Sequence, residues 1–123
     1  MRERCESAAG KRPDMGAGSR RLLELKASAL QALGHPARLL ILESLRDGER
    51  CVCEIRPILG LRQPNVSQHL SILRTAGLVT SRREGTRVIY RVVDPAVFEI
   101  IDLMGEVVRR QGKEMAEAVS RSA

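Results

Sequence analysis

The hydrophobic pattern of this chain changes its period at Gly77, and that change limits the folds it can adopt. Before Gly77, three apolar residues recur at helical spacing: Val66, Leu70 and Leu73. After it, residues 78–83 and 87–93 are rich in β-formers and flank a compact, glycine-containing tip at 84–86. Glycine just past the last helical position is typical of a helix end. This part of the chain is therefore predicted to be a helix followed directly by a β-hairpin.

Proline and glycine divide the rest of the chain into further predicted helices. Apolar residues recur at helical spacing over 22–33, and Pro36 suits the first turn of the next helix, which we expect to end at 47–48. A short helix is predicted over 52–59. The last helix follows Asp94, which can cap it. Because only 2% of the residues are aromatic, the core must consist of Leu, Ile, Val and Ala.

The start of the chain differs in composition from the remainder. Glycine, proline and charged residues alternate there without an apolar period, so residues 1–18 are predicted to be a flexible arm. Residues 19–120 are predicted to form one domain. Its fold class is α+β and mainly helical: a winged helix-turn-helix with about five helices and a two-stranded β-hairpin wing.

Polar and basic side chains lie where such a fold contacts double-stranded DNA. The formal net charge of +6 favours a polyanionic partner, although charge alone also serves solubility. The major groove admits one helix, whose polar side chains meet base edges. Candidates for base contact are Gln63, Asn65, Ser67, Gln68 and His69, of which the last can instead pack beside the contacting face. Candidates for phosphate contact are Arg74, Arg82, Arg83 and Arg87. Each residue alone could be ordinary solvated surface; together with helix, turn and hairpin in order they favour DNA binding.

Two cysteines, Cys51 and Cys53, lie just before the predicted helix-turn-helix. The sequence contains neither a secretory signal nor a membrane-spanning run, so we expect a cytoplasmic protein with reduced thiols. Such cysteines are ligands, redox sensors or small buried residues rather than a disulfide framework. In a regular helix the two side chains would point about 200° apart, so both can bind one ion only where the backbone departs from the helix. The predicted helix start and Arg50 favour thiolates, which bind soft ions.

Four stretches of the sequence resemble the ArsR/SmtB family of metal-responsive bacterial repressors. They are residues 33–42, 51–55, 63–79 and 83–91, and Cys51-Val52-Cys53 is the most specific feature among them. The resemblance implies a homodimer built largely by the first and last helices. Such a dimer binds a palindromic operator without metal and releases it when metal binds.

The candidate metal site departs from the family pattern at one position. Arsenic sensors of the family often carry a third cysteine three residues after the second, where this chain has Arg56. Trivalent arsenic prefers three sulfur ligands, and some relatives recruit an N-terminal cysteine, so Cys5 is the candidate third ligand. A lone thiol on the arm is the equal alternative for Cys5. Zinc sensors of the family use Asp and His on the last helix, but that region of this chain has no histidine, so no zinc site is expected there.

The sequence thus predicts a cytoplasmic repressor that needs no cofactor and is induced by arsenite or antimonite. Cadmium or lead, or oxidation of the cysteines, remain alternatives on the same fold. A thiol-based metal carrier without DNA function is the alternative from another class. Because neither a phosphate-binding glycine loop nor a nucleophile–base arrangement is recognisable, we do not expect an enzyme.

Overall fold

The structure, a computed structural model, describes residues 16–60 and 62–122. Within these residues the chain forms five helices and three strands. In chain order they are α1 (Ala17–Leu33), α2 (Pro36–Ser44), β1 (Arg50–Cys51), α3 (Val52–Leu59), α4 (Gln63–Thr75), β2 (Val79–Glu84), β3 (Arg87–Val92) and α5 (Ala96–Ser122). This order of elements confirms the predicted winged helix-turn-helix.

Side chains at the helix starts explain why the helices begin where they do. His35 precedes Pro36, and its Nδ1 accepts a hydrogen bond from the Ala37 N–H at 3.0 Å. The Asp94 Oδ1 accepts from the Ala96 N–H at 2.9 Å at the start of α5. Both contacts satisfy N–H groups that have no partner inside the helix. The capping role predicted for Asp94 is confirmed.

The end of α2 differs from the prediction. The helix stops at Ser44 rather than at 47–48. Beyond it the backbone continues in tight turns, with the Leu45 N–H bonded to the Leu42 carbonyl at 3.0 Å and the Gly48 N–H to the Leu45 carbonyl at 3.2 Å. These turns use hydrogen bonds to the third residue back, instead of the fourth as in an α-helix. The α-helix therefore ends before Gly48, the residue at which the sequence pattern placed its end.

The wing contains one strand more than the sequence predicted. β2 and β3 form the expected hairpin, with Val79 opposite Val92 and Glu84 opposite Arg87. The two-residue strand β1 pairs antiparallel with the other side of β3, giving the strand order β1-β3-β2. Cys51, which ends β1, is therefore part of the wing sheet.

The core lies between α2, α3 and α4. Its most deeply buried side chains are aliphatic: Ile41, Leu42, Ile55, Val66, Leu70 and Leu73. The last three form the predicted apolar stripe of α4, and each is at most 1% exposed. This packing fixes α4 against α3 and turns the opposite face of α4 outward.

Helices α1 and α5 keep much of their apolar surface exposed. A groove of about 690 Å³ runs between them, lined by residues that include Leu30, Leu39, Ile101 and Met104. Met104 is 57% exposed and Leu30 56%. Contiguous apolar surface of this kind marks an interaction face. None of the described helices combines the length and apolarity needed to cross a membrane.

Candidate thiolate site and DNA-binding surface

The backbone at Cys51 brings the two cysteine sulfurs together. Cys51 is the N-cap residue of α3 and has extended dihedrals, with φ −71° and ψ 151°. Cys53 lies in the first helical turn. The structure joins their Sγ atoms in a disulfide across Val52, with the Cα atoms 5.1 Å apart. Both sulfurs could bind one ion only if the backbone departed from the helix at this pair. The extended dihedrals of Cys51 show that departure. The disulfide constrains a single turn and links no distant segments.

The cysteine pair is also the capping structure of α3. The Cys51 Sγ accepts a hydrogen bond from the Cys53 N–H at 3.1 Å, and the Glu54 Oε1 accepts from the Cys51 N–H at 3.0 Å. This is a capping box in which sulfur replaces the usual hydroxyl. Cys51 is only 3% exposed, whereas Cys53 is exposed. Any ligand of Cys51 therefore acts on the hydrogen bonds that begin α3.

Glu54 is not among the site residues predicted from the sequence. The signal was present, because an acidic residue three positions after an N-cap is the sequence mark of a capping box. Cysteine is not among the usual N-cap residues, so the pattern is not obvious without the structure.

The described residues contain two of the three predicted sulfur ligands, Cys51 and Cys53. Arg56 occupies the position of the family's third cysteine, and its Nε is buried without a hydrogen-bond partner among the residues the structure describes. Within 16–60 and 62–122, no three His, Cys, Asp or Glu side chains cluster as a metal site. The third predicted ligand, Cys5, lies outside the described residues.

The exposed face of α4 carries most of the candidates for base contact. Asn65, Ser67 and Gln68 are exposed, on the side of the helix away from the buried stripe. Gln63 is the first residue of the helix. Arg74 is exposed in the last turn. Polar side chains near the start of α4 and a cation near its end fit the predicted division between base and phosphate contact.

His69 faces the protein rather than the open side of α4. Its ring centroid lies 4.6 Å from that of His35, and its Nδ1 is buried without a hydrogen-bond partner among the described residues. Burial lowers the pKa of His69 below its ordinary value of 6.5, and the neighbouring His35 and Arg38 lower it further. The ring of His69 thus packs against His35, and the DNA contact that the sequence left open for it stays a prediction.

The arginines of the wing differ in their partners. Arg82 forms a bidentate ion pair with Glu49, and its Nη2 lies 3.6 Å from the Oε1 of Glu84. The pairing with Arg82 holds the pKa of Glu49 below its usual range. The Nη2 of Arg87 lies 3.4 Å from the Oε1 of Glu54.

Arg83 is exposed, and within the described part of the chain it has no ion-pair partner. Two of the three predicted wing contacts are thus held by acids that flank the cysteine turn, Glu49 and Glu54. Periodicity gave no sign of these pairs.

A helix with an exposed polar face beside a basic hairpin defines a winged-helix DNA-binding regulator. Residues 35–81 match the family described as bacterial regulatory protein, arsR family. The chain is 46% identical over 85 residues to an uncharacterized HTH-type transcriptional regulator, MJ1325 of Methanocaldococcus jannaschii, covering 68% of this chain and 96% of that one. It therefore belongs to the arsR family of bacterial transcriptional regulators, as the sequence resemblance implied.

Two further relatives extend this comparison. The HTH-type transcriptional repressor SmtB of Mycobacterium tuberculosis is 43% identical over 82 residues, which is 67% of this chain and 61% of SmtB. The solution structure of the homodimeric winged helix-turn-helix DNA-binding domain of Mb0332 from Mycobacterium bovis superposes with a TM-score of 0.72. It is 32% identical and covers 84% of this chain and 95% of that one.

Proposed function

We propose that this chain is a cytoplasmic, homodimeric repressor that arsenite or antimonite releases from operator DNA by binding Cys51 and Cys53. The observation that carries this proposal is the convergence of the two sulfurs at the N-terminus of α3. That turn adjoins both DNA-contacting elements, since α3 packs on α4 and β1 pairs with the wing. An inducer bound there can act on both.

The chemistry of the turn suits a trivalent, thiophilic ion. The partial positive charge of the helix N-terminus stabilises thiolates, and thiolates select soft ions. Cys5 is the proposed third sulfur ligand. An extended chain spans up to roughly 3.3–3.6 Å per residue, and we propose that the segment before Ala17 uses this reach to bring Cys5 to the turn of one of the two protomers.

Ligand binding would compete with the cap of α3. The Cys51 sulfur that accepts from the Cys53 N–H would become a ligand atom, and the first turn would have to rearrange. Ile55 on the next turn is fully buried and belongs to the same core as Leu70 and Leu73 of α4. Because packed cores do not deform continuously, a rearranged α3 would shift α4 relative to the major groove of the DNA.

Dimerisation is supported by the apolar surface of α1 and α5. The groove between them is lined mainly by aliphatic side chains, and the similar Mb0332 domain is homodimeric. A second copy covering this face would place two α4 helices on the two halves of a palindromic operator.

The disulfide favours a second candidate function, a thiol redox switch. Oxidation of both thiols would form the Cys51–Cys53 bond and release two protons and two electrons to an oxidant such as peroxide. The exposed Cys53 is accessible to that oxidant, and the buried Cys51 would supply the second sulfur.

Operator release distinguishes the candidates. A fluorescent DNA fragment from the promoter region of the chain's own gene is bound to the reduced protein and followed by anisotropy. Arsenite, antimonite, cadmium, lead and peroxide are added separately. We expect sequence-preferring, salt-dependent binding and release by arsenite and antimonite. Release by peroxide alone would support the redox switch, and failure to prefer the promoter sequence would support a metal carrier.

A further inference from the structure

The Glu54 carboxylate contacts the cysteine turn and the wing at the same time. Its Oε1 accepts a hydrogen bond from the Cys51 N–H at 3.0 Å and lies 3.4 Å from the Nη2 of Arg87 on β3. Its Oε2 lies 3.8 Å from the Nη1 of Arg50. One carboxylate oxygen is therefore shared between the candidate inducer site and a candidate phosphate contact.

The backbone makes the same connection. In the pairing of β1 with β3, Cys51 lies opposite Ile89 and Arg50 opposite Tyr90. Ile89 is two residues along β3 from Arg87. A change at Cys51 therefore reaches the wing strand through backbone pairing as well as through Glu54.

We propose that Glu54 is a positioning residue, which transmits inducer binding at the cysteine pair to the wing by changing its hold on Arg87. The inference rests on the proposed function, because it requires an inducer at Cys51 and Cys53. In the structure the shorter contact of Oε1, at 3.0 Å, is with the Cys51 N–H, and we take this arrangement to persist in the reduced protein before inducer binds. The longer contact leaves Arg87 available to a DNA phosphate.

Inducer binding alters this competition. When the Cys51 sulfur becomes a ligand, the turn rearranges and the Cys51 N–H moves away from Oε1. The carboxylate then holds Arg87 without a competing donor, and the wing loses a phosphate contact. Both side chains are about half exposed, at 46% for Glu54 and 55% for Arg87. Exposed ion pairs are weak, so the loss of one competing donor on Oε1 can shift Arg87 part of the way from a DNA phosphate to Glu54.

The test compares wild type with Glu54→Gln and with Glu49→Gln as the matched control. Glutamine at position 54 can still accept from the Cys51 N–H, but it removes the charge that holds Arg87. Glu49 pairs with Arg82 in the same wing and does not cap α3. Operator affinity is measured by anisotropy with and without arsenite at several salt concentrations, and arsenite affinity by the ultraviolet absorbance of the thiolate–arsenic bond.

We expect the ratio of operator affinities without and with arsenite to fall by about fivefold in Glu54→Gln, within the usual range of allosteric coupling. Arsenite affinity should change little. The slope of log affinity against log salt should become shallower by about one on adding arsenite to wild type, and stay constant in Glu54→Gln. Glu49→Gln should bind operator more tightly and keep the wild-type ratio.

Three results would overturn the inference. The first is a wild-type ratio in Glu54→Gln, and the second is an equal loss of the ratio in Glu49→Gln. The third is a large loss of arsenite affinity in Glu54→Gln, which would make Glu54 part of the binding site. A wild type that arsenite does not release would instead refute the proposed function, and this inference would fall with it.

Discussion

Two substitutions of Cys51 should separate its structural role from its role as a ligand. Serine at this position keeps an oxygen that can accept a hydrogen bond from the Cys53 N–H, whereas alanine removes the acceptor altogether. Both remove the sulfur. Because Cys51 is only 3% exposed and its sulfur makes the capping contact at 3.1 Å, the two variants should differ in stability but not in inducer response.

The expected difference follows from the cap. Replacing a hydroxyl-bearing N-cap residue by alanine costs about 0.5–2 kcal/mol, so Cys51→Ala should be less stable than Cys51→Ser by about 1 kcal/mol. With an unfolding slope of about 1–3 kcal/mol per molar urea, the midpoint of Cys51→Ala should lie roughly 0.3–1 M lower. The Glu54 side of the capping box accepts from the backbone N–H of residue 51, so it is present in both variants.

The assay is urea unfolding followed by circular dichroism, combined with operator release by arsenite. Reductant is present throughout, so that no disulfide contributes to wild-type stability. One protein concentration is used, because dimer stability depends on concentration. Both variants should bind operator and neither should be released by arsenite. Equal stability of the two variants would refute the capping role, and release of Cys51→Ser by arsenite would refute the ligand role.

Three further predictions concern single residues. Because the folded state holds the pKa of His69 below 6.5, the unfolded chain binds the proton first. The free energy of unfolding should fall as pH drops below about 6.5, and level off once the pH is below the pKa of His69 in the folded state. His69→Phe, which keeps a ring against His35, should flatten this pH dependence in urea titrations. An unchanged pH dependence would contradict the lowered pKa of His69. Cys5→Ser should weaken arsenite affinity without changing operator affinity, and unchanged arsenite affinity would remove Cys5 from the site. Gln68→Ala should reduce discrimination between operator and non-operator DNA by about 1–3 kcal/mol with the arsenite response retained, whereas equal discrimination would show that Gln68 does not read a base.

Local features of the fold could be predicted because neighbouring residues determine them. Helix α3 begins at Val52 and ends at Leu59 as predicted. It ends there because Gly60 adopts the left-handed conformation, with φ 64°. The apolar stripe of α4 is buried as predicted, because its helical spacing places Val66, Leu70 and Leu73 on one face of the helix.

Contacts between distant parts of the chain could not be predicted. β1 has two residues, too few for an alternating pattern, and its pairing with Ile89 and Tyr90 depends on tertiary packing. The pairs Glu54–Arg87 and Glu49–Arg82 join residues separated by 33 positions. Single-sequence periodicity carries no information on such pairs.

The cysteine site lies between these two cases. Cys51 and Cys53 were recognisable in the sequence. Helix geometry predicted that they could share a ligand only where the backbone departs from the helix. The extended dihedrals of the N-cap meet that condition, but they follow from where β1 ends and α3 begins. The contacts of this turn with the wing, through β1 and the Glu54–Arg87 pair, are seen only in the structure.

The most direct test of the proposed inducer site is the arsenic X-ray absorption spectrum of the arsenite-loaded, full-length protein. The spectrum counts the atoms bound to arsenic, and Cys51→Ser provides the reference. We predict sulfur neighbours only, three for wild type, with one sulfur replaced in Cys51→Ser. Oxygen neighbours alone, or an identical spectrum in Cys51→Ser, would contradict the assignment of the inducer to this cysteine pair.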